Sequence, residues 1–406
     1  MSENGLSSAA ANSSESETTQ VPFANEASLH GPKHVTVPQE YDAIMLAGFG
    51  GPEGQDDVIP FLRNVTRGRG IPDERLEEVA THYRHFGGVS PINEHNRQLR
   101  QAIEDEMRRR GLDLPIYWGN RNWAPYLEEK VKEAADAGHT RILGVATSAY
   151  SSYSSCRQYR EDFARAILDN GLEGKVRIDK VRQFFDVPGF VKPFADGVAD
   201  ALKGFADQGV APEDIRVLFA THSIPTADAE RSGPQELGLG EGGAYAAQHL
   251  AVGGQIMEQL REEGKAGAET QWELVYQSRS GPPSQPWLEP DVCDRIAELP
   301  AEGAKAVAVV PLGFLSDHME VMWDLDEEAM EAAEEAGLHA VRTPTPGSHA
   351  DFVSSVVDLI EERMQATPVD QRPHMTDLGP WFDVCRPGCC ENVRLGFKPA
   401  ASGVKP

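Results

Sequence analysis

The sequence lacks a hydrophobic run long enough to cross a membrane. Its most apolar stretch, Ala306–Leu315, is interrupted by Pro311 and Gly313 and is far shorter than the ~20 residues that a spanning helix needs. The first 38 residues contain no basic segment followed by an apolar run, so they do not match a secretory signal. They are rich in Ser, Glu, Asn and Thr, which predicts a disordered leader. We therefore expect no stable membrane insertion and a cytoplasmic location.

Positive charge and cysteine are both scarce. The 406 residues include 38 Lys and Arg against 64 Asp and Glu, which gives a formal net charge of −26. Nucleic acids and anionic membranes would be repelled by this charge, so neither is an expected partner. Five cysteines are too few for a disulfide scaffold in a chain of this length, and any clustering among them indicates metal or redox chemistry.

After the leader, apolar runs of strand length alternate with longer helical patterns. This alternation predicts an α/β fold with two Rossmann-like doubly wound lobes, whose parallel sheets are flanked by helices, plus a cysteine-bearing C-terminal tail. The predicted strands are Ala43–Leu46, Ile116–Trp118, Ile142–Ala146, Val176–Ile178, Ile215–Ala220, Leu274–Gln277 and Ala306–Pro311. The predicted divisions are a leader (1–39), an N-terminal lobe (40–186), a C-terminal lobe (187–347), a closing helix (348–368) and the tail (369–406).

A glycine-rich loop, Gly48–Pro52, follows the first predicted strand. Such a loop can cradle a phosphate, but the dinucleotide fingerprint needs a glycine where this chain has Glu53. A tight turn between strand and helix is the better interpretation.

His222 lies directly after the predicted strand Ile215–Ala220, in the segment Thr221–Pro225. A lone histidine is usually structural, but ligands of open α/β sheets bind at the carboxyl ends of strands. At that position a histidine can accept a proton near neutral pH or offer a nitrogen to a metal.

Three carboxylates recur every four residues after the predicted strand Ala306–Pro311. Glu320, Asp324 and Glu328 share one face of a regular helix, and their mutual repulsion makes sense if a cation passes along them. The alternative is purely structural: Asp317 and Glu320 have the spacing of a capping box. Composition alone does not decide between the two.

Three cysteines fall within six residues of the tail, at Cys385, Cys389 and Cys390. A zinc ion or an iron–sulfur cluster would need a fourth thiolate from the body of the protein. Cys293 lies on the apolar face of a predicted helix and is interpreted as core. Cys156, in a Ser/Tyr-rich loop, is the better fourth ligand.

Taken together, the motifs resemble the ferrochelatases, and the resemblance covers roughly Tyr41 to Glu362. The segments that carry it are Gly50–Pro52, Tyr83 with Gly87–Pro91, Tyr150–Tyr159, His222–Pro225, Tyr276–Arg279 with Pro286–Leu288, and Gly313–Glu320. Their order and spacing are more specific than any one of them.

The resemblance implies a porphyrin site between the two lobes, with Fe²⁺ as a substrate. It implies that His222 and Glu320 face each other across this site and carry the catalysis, and that Asp324 and Glu328 continue an acidic relay. His222 would accept pyrrole protons or bind iron, because its ordinary pKa is ~6.5. Ser90 and Tyr159 are implied as contacts to the macrocycle.

Further porphyrin contacts are expected around the first lobe. Tyr83 belongs to one of the matching motifs. Many relatives have tyrosine where this chain has Phe49, so any role of that hydroxyl is lost here. Arg67, with Arg63 and Arg69, is a candidate partner for porphyrin propionates, although basic residues on a helix are more often simply solvated.

The tail resembles the cluster-bearing extension of actinobacterial ferrochelatases. This implies a 2Fe–2S cluster held by Cys156, Cys385, Cys389 and Cys390. The same relatives favour coproporphyrin III as substrate, and the chain shows no apolar lip or anchor. The alternatives are protoporphyrin IX as substrate, a cobalt or nickel chelatase, and a non-enzymatic iron–sulfur sensor. We expect a monomer with transient contacts to neighbouring heme-pathway enzymes.

Overall fold

The structure is a computed structural model that describes residues 33–68, 70–280, 284–386, 388–391 and 398–402. Most of the predicted leader lies outside the described residues. Within them, the strands form two four-stranded parallel sheets, which confirms the predicted fold class. The first has the order β2-β1-β3-β4 and the second β6-β5-β7-β8. The strands are β1 Ala43–Gly48, β2 Ile116–Asn120, β3 Arg141–Ala146, β4 Arg177–Lys180, β5 Ile215–His222, β6 Gln271–Gln277, β7 Ala306–Val310 and β8 His339–Arg342.

Helices cover the faces of both sheets. In the first half they are α1 Val58–Val65, α2 Asp73–His85, α3 Ile92–Arg109, α4 Leu127–Asp136 and α5 Gln158–Asp169. In the second half they are α6 Pro188–Asp207, α7 Thr226–Ala229, α8 Gly243–Glu262, α9 Val292–Glu298, α10 Met319–Val321, α11 Ala329–Glu335 and α12 Ala350–Gln365. Two π-helical segments, Tyr153–Arg157 and Met322–Glu328, lead into α5 and α11. No described helix is both long and apolar enough to span a bilayer.

The central strands are buried on both faces, as continuous apolar runs in parallel sheets require. Every residue of β1 and of β7 is buried. Strand order reverses beside β1 in one sheet and beside β5 in the other, so each lobe has a switch point at which its carboxyl ends open to a ligand. The ends of β1 and β5, at Gly48 and His222, therefore mark where a site is expected.

Buried polar contacts join the closing helix and the tail to the first lobe. Arg182, just after β4, donates to both carboxylate oxygens of Glu362 on α12, at 2.7 and 3.1 Å. Arg182 also donates to the backbone carbonyl oxygen of Pro373 in the tail at 2.9 Å. Arg160 on α5 donates to the carbonyl oxygen of Ala401, also at 2.9 Å. The tail is thus packed against the body rather than separate from it.

The predicted strands all exist, with boundaries that shift by one to three residues. Several other elements were not predicted from the sequence. Strand β8 is short and half-exposed, so its four residues carry no clear apolar run. Helices α2, α5 and the short α7 were also not predicted, and the segment Met322–Glu328 is π-helical rather than a regular α-helix.

Candidate active site

His222 is the last residue of β5, and its imidazole faces the carboxylate of Glu320. Its Nδ1 is hydrogen-bonded to the carbonyl oxygen of Ser223, and a carbonyl can only accept, so Nδ1 carries the proton. In the neutral imidazole the lone pair is then on Nε2, which lies 3.6 Å from Oε2 of Glu320. The side chains are 31% and 49% exposed, so both are accessible to a ligand.

Backbone packing fixes the direction of the histidine. The hydroxyl of Tyr245 donates to the carbonyl oxygen of His222 at 2.8 Å. The loop after β7 passes so close to β5 that a Cβ at Gly313 would lie 2.0 Å from Oγ1 of Thr221. Glycine is therefore required at 313, and this close approach brings the following segment, with Glu320, to the end of β5.

The segment that carries Glu320 begins with a histidine cap. His318 accepts a hydrogen bond through Nδ1 from the backbone N–H of Glu320 at 3.2 Å. Asp317 instead accepts from Arg342 at 3.2 Å and from the hydroxyl of Thr345 at 3.0 Å. The capping-box alternative for Asp317 and Glu320 is therefore wrong, and Glu320 keeps its carboxylate for another use.

Asp324 is held by the last residue of β6 and by the residue after it. It accepts hydrogen bonds from the hydroxyl of Ser278 and from Nε2 of Gln277, the latter at 3.1 Å. Burial raises the pKa of Asp324 to about 7, and the charges of Glu320 and Glu328 add to the increase. The three carboxylates thus interact electrostatically, although the π-helical turn changes the angles expected of a regular helix.

The first lobe covers one side of the acidic row formed by Glu320, Asp324 and Glu328. Trp323 donates from its indole N–H to Glu328 at 2.8 Å, and its ring stacks on His82 with centroids 4.0 Å apart. Tyr83 is buried beside the carboxylates. Its pKa is raised by burial first and then by the charges of Glu320 and Asp324. Residues from both lobes therefore meet at Glu320.

The other predicted porphyrin contacts are scattered along the first lobe. Ser90 is buried against Gly51, where an added Cβ would lie 2.7 Å from the serine Cβ. Phe49 is 37% exposed and lies edge-on to Phe61. Tyr159 is buried beneath the guanidinium of Arg121, 4.1 Å from the ring centroid, and so presents no open face.

The three arginines near the first loop differ in their surroundings. Arg67 is exposed and donates to the side chain of Asn64 at 2.6 Å, with no contact to the His222 site. Arg63 pairs with Asp73 at 3.1 Å. Arg69 lies outside the described residues.

Three residues of the site were quoted in motifs but given no role from the sequence. They are Gln277 and Ser278, which hold Asp324, and His318, which caps the Glu320 segment. Ser278 has a φ of 62°, a left-handed conformation unusual for serine. The signal that could have found these residues is position: Gln277 ends β6, Ser278 follows it, and His318 lies in the loop after β7, and both strands are neighbours of β5.

The predicted cluster cysteines converge from two distant parts of the chain. Cys156, Cys385 and Cys389 line one cavity together with Arg160 and Lys180. Cys390 lies beside it, with its Sγ 3.8 Å from that of Cys389 and accepting from the N–H of Gly233 at 3.2 Å. Cys293 lies elsewhere, at the edge of the second-lobe core. The five cysteines form no disulfide.

The thiols and basic side chains around this cavity have the chemistry that suits a negatively charged group bound by thiolates. The Nη1 and Nη2 atoms of Arg160 are buried and have no hydrogen-bond partner among the described residues. Burial raises the pKa of Cys156 to about 12, and Lys180 opposes this increase. Among the described residues, no three His, Cys, Asp or Glu side chains are grouped closely enough to hold a metal ion. The donor set and its charges therefore fit a cluster, although the thiols are not gathered around one ion.

Two doubly wound lobes with a histidine and carboxylates at their strand ends define an α/β protein suited to handling protons and a divalent cation. The ferrochelatase family model matches residues 41–364. A coproporphyrin III ferrochelatase from Leifsonia xyli subsp. xyli is 65% identical over 384 residues, which cover 92% of this chain and 97% of the relative. The chain belongs to the ferrochelatase family.

Other relatives with the same printed name are similar over most of their length. The protein from Tropheryma whipplei is 57% identical over 367 residues, covering 90% of this chain and 93% of the relative. The protein from Streptomyces griseus subsp. griseus is 52% identical over 374 residues, covering 90% of this chain and 97% of the relative. The resemblance inferred from the motifs is therefore confirmed.

Proposed function

We propose that this chain inserts Fe²⁺ into coproporphyrin III to give Fe-coproporphyrin III, a lyase reaction of heme biosynthesis. The observation that carries the proposal is the His222–Glu320 pair, with a free imidazole nitrogen 3.6 Å from a carboxylate at the end of β5. The substrate is supported by the relatives described above, which are named for coproporphyrin III.

Metallation requires the loss of two pyrrole N–H protons while Fe²⁺ sheds its water. Nε2 of His222 would accept one of these protons at a time, because Nδ1 already carries a proton donated to the Ser223 carbonyl. The first proton must pass on, toward Glu320 or water, before Nε2 accepts the second. The carboxylate of Glu320 would balance the charge that develops on the imidazole. Asp324 and Glu328 continue the row with oxygen donors, which together with imidazole suit a ferrous ion.

Asp324 can also exchange protons within the row of carboxylates formed by Glu320, Asp324 and Glu328. With a pKa of about 7, its carboxyl exchanges a proton readily near neutral pH. Its hydrogen bonds from Ser278 and Gln277 keep it in place during that exchange. The row can thus move protons away from His222 or bring the cation toward it.

Initial rates of metal insertion test the proposal. Purified protein is given Fe²⁺ with coproporphyrin III or with protoporphyrin IX, and the loss of free porphyrin is followed by fluorescence. We expect a higher kcat/KM for coproporphyrin III. Preference for protoporphyrin IX would reject the substrate, and insertion of cobalt but not iron would reject the metal.

We also infer that Cys156, Cys385, Cys389 and Cys390 would hold a 2Fe–2S cluster. The support is the convergence of thiols from a π-helical turn and from the tail on one cavity that contains buried cations. When bound, the cluster would cross-link the tail to the first lobe. The visible absorption spectrum tests this, because a zinc site with the same thiolates would be colourless.

The lobe boundaries near residues 186 and 347, the monomeric state, the transient contacts with neighbouring heme-pathway enzymes and the cytoplasmic location remain predictions from the sequence.

A further inference from the structure

Two buried cations beside the thiols have no carboxylate partner within the part of the chain that the structure describes. Arg160 on α5 and Lys180 at the end of β4 are only 2% and 3% exposed. Neither forms an ion pair with an acidic group among the described residues, and both line the cavity that contains Cys156, Cys385 and Cys389.

Other buried arginines nearby are paired, which makes these two unusual. Arg182 pairs with Glu362 at 2.7 Å, Arg372 with Asp383 at 2.7 Å, and Arg157 with Glu161 at 3.0 Å. Asp383 also lines the cavity, but it is already engaged by Arg372.

Neutral contacts satisfy only part of what the two cations can donate. Nε of Arg160 donates to the carbonyl oxygen of Ala401 at 2.9 Å, whereas Nη1 and Nη2 donate to nothing among the described residues. Nζ of Lys180 donates to the carbonyl oxygen of Val181 at 2.9 Å and to Oε1 of Gln183 at 2.5 Å. A buried charge without a counter-charge is costly, so an anion bound in this cavity would stabilise both side chains in their charged forms.

We propose that Arg160 and Lys180 are positioning residues that compensate the charge of a thiolate-bound iron–sulfur cluster and raise its reduction potential; this inference rests on the cluster proposed above. A 2Fe–2S core with four thiolates carries two negative charges when oxidised and one more when reduced. Two buried cations match the oxidised charge and favour the added electron. Hydrogen bonds and charge near the sulfurs are known determinants of cluster potential.

The competing interpretation is that both residues only anchor the chain's last described segment. Arg160 bonds to Ala401, and the backbone N–H of Lys180 donates to the hydroxyl of Ser402 at 2.7 Å. The two interpretations predict opposite effects of these side chains on the stability of the cluster-free protein. An anchor stabilises the protein with or without the cluster, whereas a counter-charge stabilises the loaded protein and destabilises the cluster-free one.

The test compares Arg160→Gln and Lys180→Met with the wild-type full-length protein. Arg165→Gln is the matched control, because Arg165 lies on the same helix but is 51% exposed and pairs with Asp162. Arg160→Lys keeps the charge and serves as the rescue variant. Cluster content, one-electron reduction potential, and the melting temperature before and after removal of iron by a chelator are measured for each.

We expect the two neutral variants to lower the equilibrium constant for cluster reduction by about tenfold, which is 59 mV for one electron. They should melt at a lower temperature when loaded and at an equal or higher temperature when cluster-free. The control and the rescue variant should behave like the wild type.

Unchanged potentials in variants that hold a full cluster would overturn the inference while leaving the cluster intact. Equal destabilisation of loaded and cluster-free forms would support the anchor instead and also overturn it. A wild-type protein that binds no cluster would reject the cluster proposal itself, and this inference with it.

Discussion

Replacing Asp324 by asparagine should stabilise the porphyrin-free protein at high pH. The carboxyl ionises at about 7 in the folded protein against a reference value of 3.8, chiefly because it is buried. Since the folded pKa is raised, the ionised group destabilises the fold. The penalty is full above the folded pKa and disappears as pH falls toward the unfolded one.

The size of the effect follows from the difference in pKa. At ~1.4 kcal/mol per pKa unit, the penalty is about 4 kcal/mol near pH 8 and about 2 kcal/mol near pH 5.5. Two effects reduce the stability gained by removing this charge, by about 2 kcal/mol together: Asp324 is partly exposed, and an asparagine accepts weaker hydrogen bonds from Ser278 and Gln277 than a carboxylate does. We therefore expect Asp324→Asn to stabilise the protein by about 2 kcal/mol near pH 8 and by little near pH 5.5.

Urea denaturation at the two pH values measures this difference. Glu331→Gln is the control, because Glu331 is an exposed carboxylate on α11, in the same stretch of chain. If the Asp324→Asn protein were destabilised equally at both pH values, the reasoning would be refuted. Such a result would mean that burying the ionised carboxylate does not destabilise the folded protein.

Three further predictions concern catalysis, the cluster and the fold. Glu320→Gln should lower kcat about 100-fold or more, and Asp324→Asn or Glu328→Gln much less, because Glu320 is the one of these three carboxylates that pairs with His222 in the described structure. Equal losses in initial-rate assays would favour a relay of metal along the three carboxylates. Cys156→Ser should lose both visible colour and activity, whereas Cys293→Ser should keep both; a coloured Cys156→Ser protein would remove that ligand. Glu362→Gln should destabilise the protein by about 3–5 kcal/mol in urea, because it leaves Arg182 buried and unpaired; a change below about 1 kcal/mol would contradict this.

Local pattern was enough to predict most of the fold. Strands such as β1 and β7 are continuous buried runs, and their alternation with helices dictates parallel sheets. Strand β8 could not be predicted in this way, because it is short and partly exposed and is defined by pairing with β7. The π-helical turn at Met322–Glu328 also has no pattern of its own, since its residues suit a regular helix equally well.

The site could be predicted only in part. His222 and Glu320 lie in motifs next to strand ends, so the sequence was sufficient to select them. The hydrogen bond from Ser278 to Asp324 joins residues 46 positions apart, and Ser278 forms it with its backbone in the left-handed conformation. The pairing of Arg182 with Glu362 spans 180 positions. Contacts of this range arise from the packing of elements and leave no local signal.

His222→Ala tests the central claim most directly. Because Nε2 of His222 is the free proton acceptor at the site, the variant should bind coproporphyrin III with near-normal affinity in a fluorescence titration but insert no measurable Fe²⁺. The two measurements are made on the same preparation, so that a folding defect would appear as lost binding. Near-normal turnover by the His222→Ala protein would contradict the account.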